Sequence, residues 1–284
     1  MVIKVENVVV DFAVLKGGMH PLISWDIVSN AIQFKVYRSS GGATPQNEYE
    51  LVGVTNLNYF TDTSIELSRT HPVAYKVTWV NADNKESSLS EAITMPWYQA
   101  QSQVTTSKAF GGFRDRMFYS NIEHIRRMGW AVQNAGENVY VYIRNAVGQL
   151  CPYYDLDTQE HKAGRCKLCW GTSIIPGYTV FKTQAAFVDT PDLTDWTDRG
   201  ISIESQVTAR MTPYPWIKEG DFVRRQNGEL GEVNNIKRNN WQTEVEFRWT
   251  VLSAHTVLHE MPIDDSQPYV IDLQIPQLTQ KGWR

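Results

Sequence analysis

The chain has 284 residues, of which 42% are hydrophobic and 20% charged, so its composition predicts folded domains rather than disorder. Its net charge of −4 at pH 7 argues against a dedicated nucleic-acid-binding protein, which would normally carry a basic face. No apolar stretch approaches the roughly 20 residues that span a bilayer, and the alternating N-terminus lacks the apolar core of a signal peptide, so we expect no membrane partner.

Residues 1–97 predict a β-sandwich. Short segments alternate apolar and polar residues, as at Ile32, Phe34 and Val36, and turn signals recur about every eight to twelve residues. The segment resembles a fibronectin type III domain at a set of aromatic and turn positions, namely Trp25, Tyr37, 59–62, 75–77 and 87–90. Such modules serve as spacers and adhesion surfaces, so the resemblance implies a fold and no activity.

A polar run at 99–107 predicts a linker or domain entry, and the one convincing helix follows at 113–128. The helix begins after a Gly-Gly pair and is expected to end at Gly129, which would supply a C-terminal glycine cap. Its apolar residues recur at spacings of about three to five residues and form one stripe. We expect the charged opposite face to be solvated, with a basic docking face as the alternative.

The rest of residues 98–263 predicts a small β-barrel-type domain that carries a zinc-ribbon-like segment at 151–178. Strand patterns occur at 139–144, 178–182, 201–207 and 241–249, and an Asn227-Gly228 pair predicts a tight hairpin. The predicted fold class is therefore mainly β, with an N-terminal sandwich, one helix and a barrel-type domain.

Residues 264–284 predict an extended C-terminal arm that orders against another subunit or frays. The candidate assembly residues are Tyr269, Ile271, Ile275 and Trp283. For each of them, fraying or packing within the same chain is the alternative.

No catalytic motif is visible, so we expect the protein not to be an enzyme. Gly111 and Gly112 precede a helix but lack the remaining residues of a P-loop or dinucleotide fingerprint. His255 and His259 lie in a segment with a strand pattern, where side chains four residues apart are about 13 Å apart and cannot share one metal ion.

All three cysteines fall within nineteen residues, as Cys151, Cys166 and Cys169, and the last two form a C-x2-C pair. This spacing is typical of a tetrahedral thiolate zinc site of structural type. His161 is the first candidate for the fourth ligand, and Tyr154, Asp155 or Asp157 are the other candidates. A metal-free remnant with reduced cysteines, or a disulfide, remains an alternative. The cysteine usage indicates a reducing compartment, the cytosol of the cell that makes the protein.

The cysteine segment resembles a segment of virion proteins from tailed bacteriophages. The matching residues are Cys151, Pro152, Cys166, Cys169, Gly171, Thr172, Gly177 and Tyr178. Tyr154 and Ser173 depart from that pattern, and Tyr154 stands where a fourth cysteine would lie. The segment at 218–233 is similar to head-closure and neck proteins at the junction of portal and tail.

The resemblance implies a structural virion protein of the neck, collar or head-to-tail connector. Copies of the chain would form a ring that touches portal, connector or tail proteins and that DNA only passes through. The competing expectation is a tail-tip or baseplate protein that uses the fibronectin-like domain to bind a host surface. Under either expectation the protein is made in the host cytoplasm and resides in the virion.

Overall fold

The fold is mainly β, as the sequence predicted, and is built from several antiparallel sheets. The computed structural model describes residues 4–15, 18–39, 48–65, 73–94, 127, 132, 135–158, 160–161, 166–189, 193–197, 200–204, 206–212, 214–238, 243–249, 261 and 270–272.

Seven strands form two sheets in the N-terminal part of the chain. They are β1 (Val9–Leu15), β2 (Gly18–Ser24), β3 (Gln33–Ser39), β4 (Glu50–Thr55), β5 (Tyr59–Thr61), β6 (Ala74–Val80) and β7 (Ile93–Thr94). The first sheet has the order β1-β2-β5 and the second has the order β4-β3-β6-β7. Every pairing within them is antiparallel.

Residues from both sheets share one hydrophobic core, which makes this part the β-sandwich that the sequence predicted. In β3 the side chains of Phe34 and Val36 are fully buried while their neighbours are partly exposed, as period-2 alternation requires. Trp25 packs edge-on against Phe34, with 5.3 Å between ring centroids. Tyr75 and Val77 of β6 join the same core.

The carboxylate of Glu86 accepts hydrogen bonds from side chains of β3 and β6 in the second sheet. It accepts hydrogen bonds from Lys35 Nζ at 2.6 Å, Tyr37 Oη at 2.5 Å and Thr78 Oγ1 at 2.7 Å. Burial opposes ionisation of Glu86, but the three donors outweigh it and hold the pKa of this carboxyl below its ordinary value. Burial, and then the hydrogen bond to Glu86, raises the pKa of Tyr37 to about 12.

The chain divides into two compact units. The first unit comprises residues 1–120, 145–163 and 172–177, and the second comprises 121–144, 164–171 and 178–284. Residues 145–163 belong to the first unit because their beginning is built into the sandwich. Val147 lies in the sandwich core, and the amides of Ala146 and Val147 donate to the carbonyl of Asn56 at 3.0 and 3.1 Å.

The second unit contains a seven-stranded sheet. Its strands are β8 (Glu137–Arg144), β13 (Tyr178–Asp189), β16 (Gln206–Met211), β17 (Phe222–Arg225), β18 (Leu230–Arg238), β19 (Thr243–Trp249) and β20 (Val270–Asp272). They follow the order β16-β19-β18-β17-β8-β13-β20, and β16 also pairs with β13. Six strands therefore form a closed cycle of hydrogen-bonded neighbours, which is the connectivity of the predicted small barrel.

The hairpin between β17 and β18 has the turn chemistry that the sequence indicated. Gly228 has a φ of +91°, and its amide donates to the carbonyl of Arg225 at 3.0 Å. The amide of Arg225 donates to the carbonyl of Glu229 at 2.9 Å. A residue with a side chain would be strained at this φ, so the Asn-Gly pair sets the register of the hairpin.

A group of buried residues, called here the barrel core, lies in the second unit. It consists of Tyr142, Tyr178, Val180, Leu230 and Met261, with Tyr140, Trp170 and Phe222 packed against it. Tyr178 is its central ring and meets Tyr142 and Phe222 edge to face, with centroids 6.4 and 6.3 Å apart. Such aromatic pairs add to the stabilisation from burial.

Part of the predicted C-terminal arm pairs with its own chain. Val270, Ile271 and Asp272 form β20, which runs parallel to β13 and pairs with residues 180–182. The other assembly candidates, Tyr269, Ile275 and Trp283, lie outside the described residues.

The predicted helix at 113–128 lies outside the described residues except for Arg127, which is helical. Val132 and Ala135 are also helical, so helical backbone occurs beyond Gly129, where the sequence predicted the end of the helix. In the described part of the chain, no helix is long and apolar enough to cross a membrane.

Candidate metal centre

The three cysteines converge in one buried cluster. Cys151, Cys166 and Cys169 are 0%, 4% and 0% exposed, and their Sγ atoms all lie within 4.8 Å of one another. None of the three forms a disulfide, so the alternative of a disulfide does not describe this structure. Among the described residues, they form the one group of three or more His, Cys, Asp or Glu side chains that could hold a metal ion.

The first cysteine is positioned by a short pair of strands, β9 (Gln149–Leu150) and β12 (Ile174–Ile175). Cys151 follows β9, and its amide donates to the carbonyl of Ser173 at 2.8 Å. The carbonyl of Cys151 accepts the amide of Tyr154 at 3.0 Å, which closes a turn directly after the cysteine. These two hydrogen bonds hold the backbone on both sides of the first thiol.

The C-x2-C pair is positioned by a second tight turn. The amide of Trp170 donates to the carbonyl of Cys166 at 3.0 Å and closes the turn that contains Cys169. The chain then leaves in left-handed backbone, with φ of +52° at Trp170 and +85° at Gly171. Consecutive left-handed residues reverse the chain sharply after the pair. The turn closed by the Trp170 amide leaves the Sγ atoms of Cys166 and Cys169 within 4.8 Å of each other.

The spacing of the thiols fits a tetrahedral thiolate site. A zinc ion about 2.3 Å from each sulfur separates the sulfurs by about 3.8 Å, so binding would draw the present cluster together by about 1 Å at most. Soft thiolate donors select zinc and similar ions over the hard cations that prefer oxygen. The cluster could therefore hold a thiophilic metal ion through Cys151, Cys166 and Cys169.

The described side chains supply three ligands, Cys151, Cys166 and Cys169. His161 lies in β11 (Glu160–His161), opposite Tyr154 of β10 (Tyr154–Asp155), and its side chain lies outside the described residues. Asp155 and Asp157 are not members of the thiol cluster. The carboxylate of Asp155 instead accepts the amide of Asp157 at 3.0 Å and closes the hairpin turn.

Tyr178 of the barrel core lies in the electrostatic surroundings of Cys169. Burial is the largest effect and raises the pKa of Tyr178 to about 12, Arg144 opposes the rise, and Asp221, Glu232 and Cys169 add to it. The hydroxyl therefore stays protonated at neutral pH. Asp221 in turn is buried and accepts the amides of Lys218 at 2.6 Å and Arg144 at 3.0 Å, which ties these two segments together.

The sequence identified the three thiols but missed Trp170. This residue combines a left-handed backbone with a side chain packed against the barrel core. A tryptophan next to a cysteine carries no signal of a positive φ, since left-handed backbone usually indicates glycine or asparagine. Only the three-dimensional arrangement reveals its position between the thiols and the core.

The comparisons with known proteins identify no relative. No protein-family model matches the chain, and no curated protein matches it. A solved structure that aligns with part of the chain is titled as pectate lyase PelI from Erwinia chrysanthemi. It is 17% identical over 32% of this chain and 27% of that chain, with a TM-score of 0.25. An alignment of this quality carries no argument about fold or activity.

Proposed function

We propose that this chain is a structural protein of a tailed-phage virion, in the neck, collar or head-to-tail connector. Its copies would form a ring beneath the portal, and its role would be to shape the assembly rather than to catalyse a reaction. The cysteine segment would be folded by a structural zinc ion held by Cys151, Cys166 and Cys169, with His161 as fourth ligand. The resemblance of this segment to virion proteins supports the proposal. So does its distribution of polarity, in which the thiols are buried and large apolar side chains face solvent.

That distribution is the observation that carries the proposal. The thiols are buried while large apolar side chains of the same segment face solvent: Leu150, Tyr153, Leu156 and Leu168 are 44%, 49%, 65% and 51% exposed. Four of the nine exposed large hydrophobic residues in the described part of the chain thus fall within nineteen residues. Large apolar side chains that face solvent this often along one short stretch suit surfaces covered by another protein, so we assign the segment to subunit or neighbour contacts.

A metal ion would explain how a segment with such short strands keeps its folded conformation. Its strands β9 to β12 are two residues each, which is too short to be stable by pairing alone. Structural zinc supplies folding free energy to segments that lack an apolar core of their own. The ion would hold the segment in its folded conformation, and the exposed apolar side chains would remain available to contact a partner.

Elemental analysis of the purified full-length protein tests the metal. We expect one zinc per chain, lost or greatly weakened in Cys166→Ser, because one thiolate is removed from a site with few ligands. His161→Ala tests the fourth ligand in the same assay, and Asp157→Ala serves as the control because Asp157 lies outside the cluster. Stoichiometric zinc that is unaffected by Cys166→Ser would contradict the ligand assignment.

The native mass and symmetry of the full-length assembly test the structural role. We expect a ring of six or twelve copies, and Leu156→Asp with Leu168→Asp is expected to dissociate it while zinc content is unchanged. Leu51→Asp, an equally exposed leucine of the sandwich, is the matched control and should leave the ring intact. A monomer or a three-fold particle would instead favour the tail-tip or baseplate alternative.

A further inference from the structure

We propose that Trp170 is a positioning residue that couples ion binding at the three thiols to the packing of the barrel core. The inference rests on the metal centre proposed above and adds a link between its Cys166–Cys169 pair and the core of the second unit. Trp170 is well placed for it because its backbone closes the turn around Cys169 and its side chain packs against the barrel core.

The backbone of Trp170 is held in a conformation that it would not adopt alone. Its φ of +52° lies in the left-handed region, which is unfavourable for any residue with a Cβ. Non-glycine residues persist there only when the surrounding structure holds them. Two contacts do so here: the hydrogen bond from its amide to the carbonyl of Cys166, and the packing of the indole.

Release of the indole from the barrel core would therefore change the turn itself. With the packing lost, residue 170 would no longer be held at positive φ, whether a residue with a Cβ relaxes to negative φ or a glycine samples both signs of φ, and its amide would leave Cys166. Cys169 is the adjacent residue, so its sulfur would move relative to the sulfur of Cys166. Metal affinity depends on such supporting contacts, and their removal typically lowers it by about 10- to 100-fold.

The coupling must also act in the opposite direction, because linkage is reciprocal for equilibrium binding. An ion that fixes Cys166 and Cys169 fixes the turn between them and presses the indole onto the core around Tyr178. Occupancy of the thiols would then be transmitted to strand β13, which begins at Tyr178.

Zinc affinity, measured on full-length protein by competition with a chromophoric chelator, separates packing from backbone strain. Trp170→Gly removes the indole but tolerates positive φ, and we expect its affinity to fall about 10- to 100-fold. Trp170→Phe keeps a ring and should stay within about threefold of the parent. The control is Trp79→Ala, which removes a similarly packed tryptophan from the sandwich and should leave zinc affinity unchanged. Trp170→Gly binding zinc as tightly as the parent would overturn the proposal.

Hydrogen exchange of β13 amides, with and without chelator, supplies a second readout that general destabilisation would not reproduce. Chelation should accelerate exchange at residues 178–181 by about 10-fold in the parent and leave it unchanged in Trp170→Gly. An equal response to chelation in both proteins would overturn the coupling. A parent protein that binds no zinc would instead overturn the metal centre, and this inference with it.

Discussion

Replacing Asp62 by alanine is expected to destabilise the sandwich by about 3–5 kcal/mol, because it removes a buried carboxylate that accepts four hydrogen bonds. Asp62 is 2% exposed and accepts hydrogen bonds from Arg38 Nη1 at 2.9 Å, Tyr75 Oη at 3.0 Å, and the amide and hydroxyl of Ser64 at 3.0 and 2.6 Å. Arg38 keeps its ion pair with Glu50 and its bond to the Ser64 hydroxyl. The hydroxyl of the fully buried Tyr75 loses this acceptor, at a cost of about 1–3 kcal/mol within that total.

A double-mutant cycle that combines Asp62→Ala with Tyr75→Phe isolates the free energy of the hydrogen bond between Tyr75 and Asp62. Burial, and then the charge of Asp62, raises the pKa of Tyr75 above its ordinary value, so the tyrosine acts as a protonated donor. Tyr75→Phe alone is expected to cost about 1.5–3 kcal/mol, the value of a hydrogen bond to a charged group. In the Asp62→Ala background the same change removes an unsatisfied hydroxyl and should be neutral or stabilising, which gives a coupling energy of about 1.5–3 kcal/mol.

Native-state hydrogen exchange of β3 and β6 amides measures these free energies in the full-length protein, because it reports the opening of the sandwich alone. Asp26→Ala is the control, since Asp26 is exposed and its bond from Asn7 at 2.5 Å should contribute less than about 1 kcal/mol. Additive effects of Asp62→Ala and Tyr75→Phe, within about 0.5 kcal/mol, would refute the reasoning.

Three further predictions concern pH and packing. Glu86→Gln should lower the free energy of unfolding by about 1 kcal/mol at neutral pH. The pKa of Glu86 in the folded protein lies below its ordinary 4.5, so the difference from the parent should persist above pH 4.5 and vanish as the pH falls through the folded pKa. Stability measured during an acid titration of both proteins checks this. Zinc should be released progressively as pH falls from about 7 to 5, because protons compete for the thiolates, and elemental analysis after dialysis at each pH measures this. Gly136→Ala should destabilise the second unit by about 1–3 kcal/mol in exchange at β8, since the added Cβ would lie 2.2 Å from the carbonyl oxygen of Val132 and 2.8 Å from that of Ala185. Unchanged exchange in that variant would contradict the packing around this glycine.

The sequence was most informative where structure depends on near neighbours. The period-2 alternation at Phe34 and Val36 predicted a half-buried strand, and the Asn227-Gly228 pair predicted a hairpin that needs positive φ. The C-x2-C spacing predicted two thiols on one turn, and Cys151, which is close to them in sequence, was predicted as the third thiol of the same site. Each of these features is fixed by local geometry, so a single sequence carries it.

Features set by distant pairing could not be read in this way. The closed cycle of strands depends on β16 meeting β13, and the first unit includes residues 145–163 because Val147 enters the sandwich core. No local pattern signals either contact, since each depends on which surfaces the rest of the chain leaves available. The left-handed backbone of Trp170 was hidden for the same reason, because tertiary packing overrides the local preference.

The pairing of β20 with β13 has a consequence for how the protein is made. Val180 pairs with Val270, 90 residues later in the chain, so one edge of β13 at residues 180–182 has no partner from β20 until those 90 residues have been synthesised. Contacts so distant in sequence slow folding, and an open strand edge is a template for pairing with other chains. Nascent copies on neighbouring ribosomes would therefore be most vulnerable to misassembly in the interval between the synthesis of β13 and that of β20, and the arrival of β20 closes this edge.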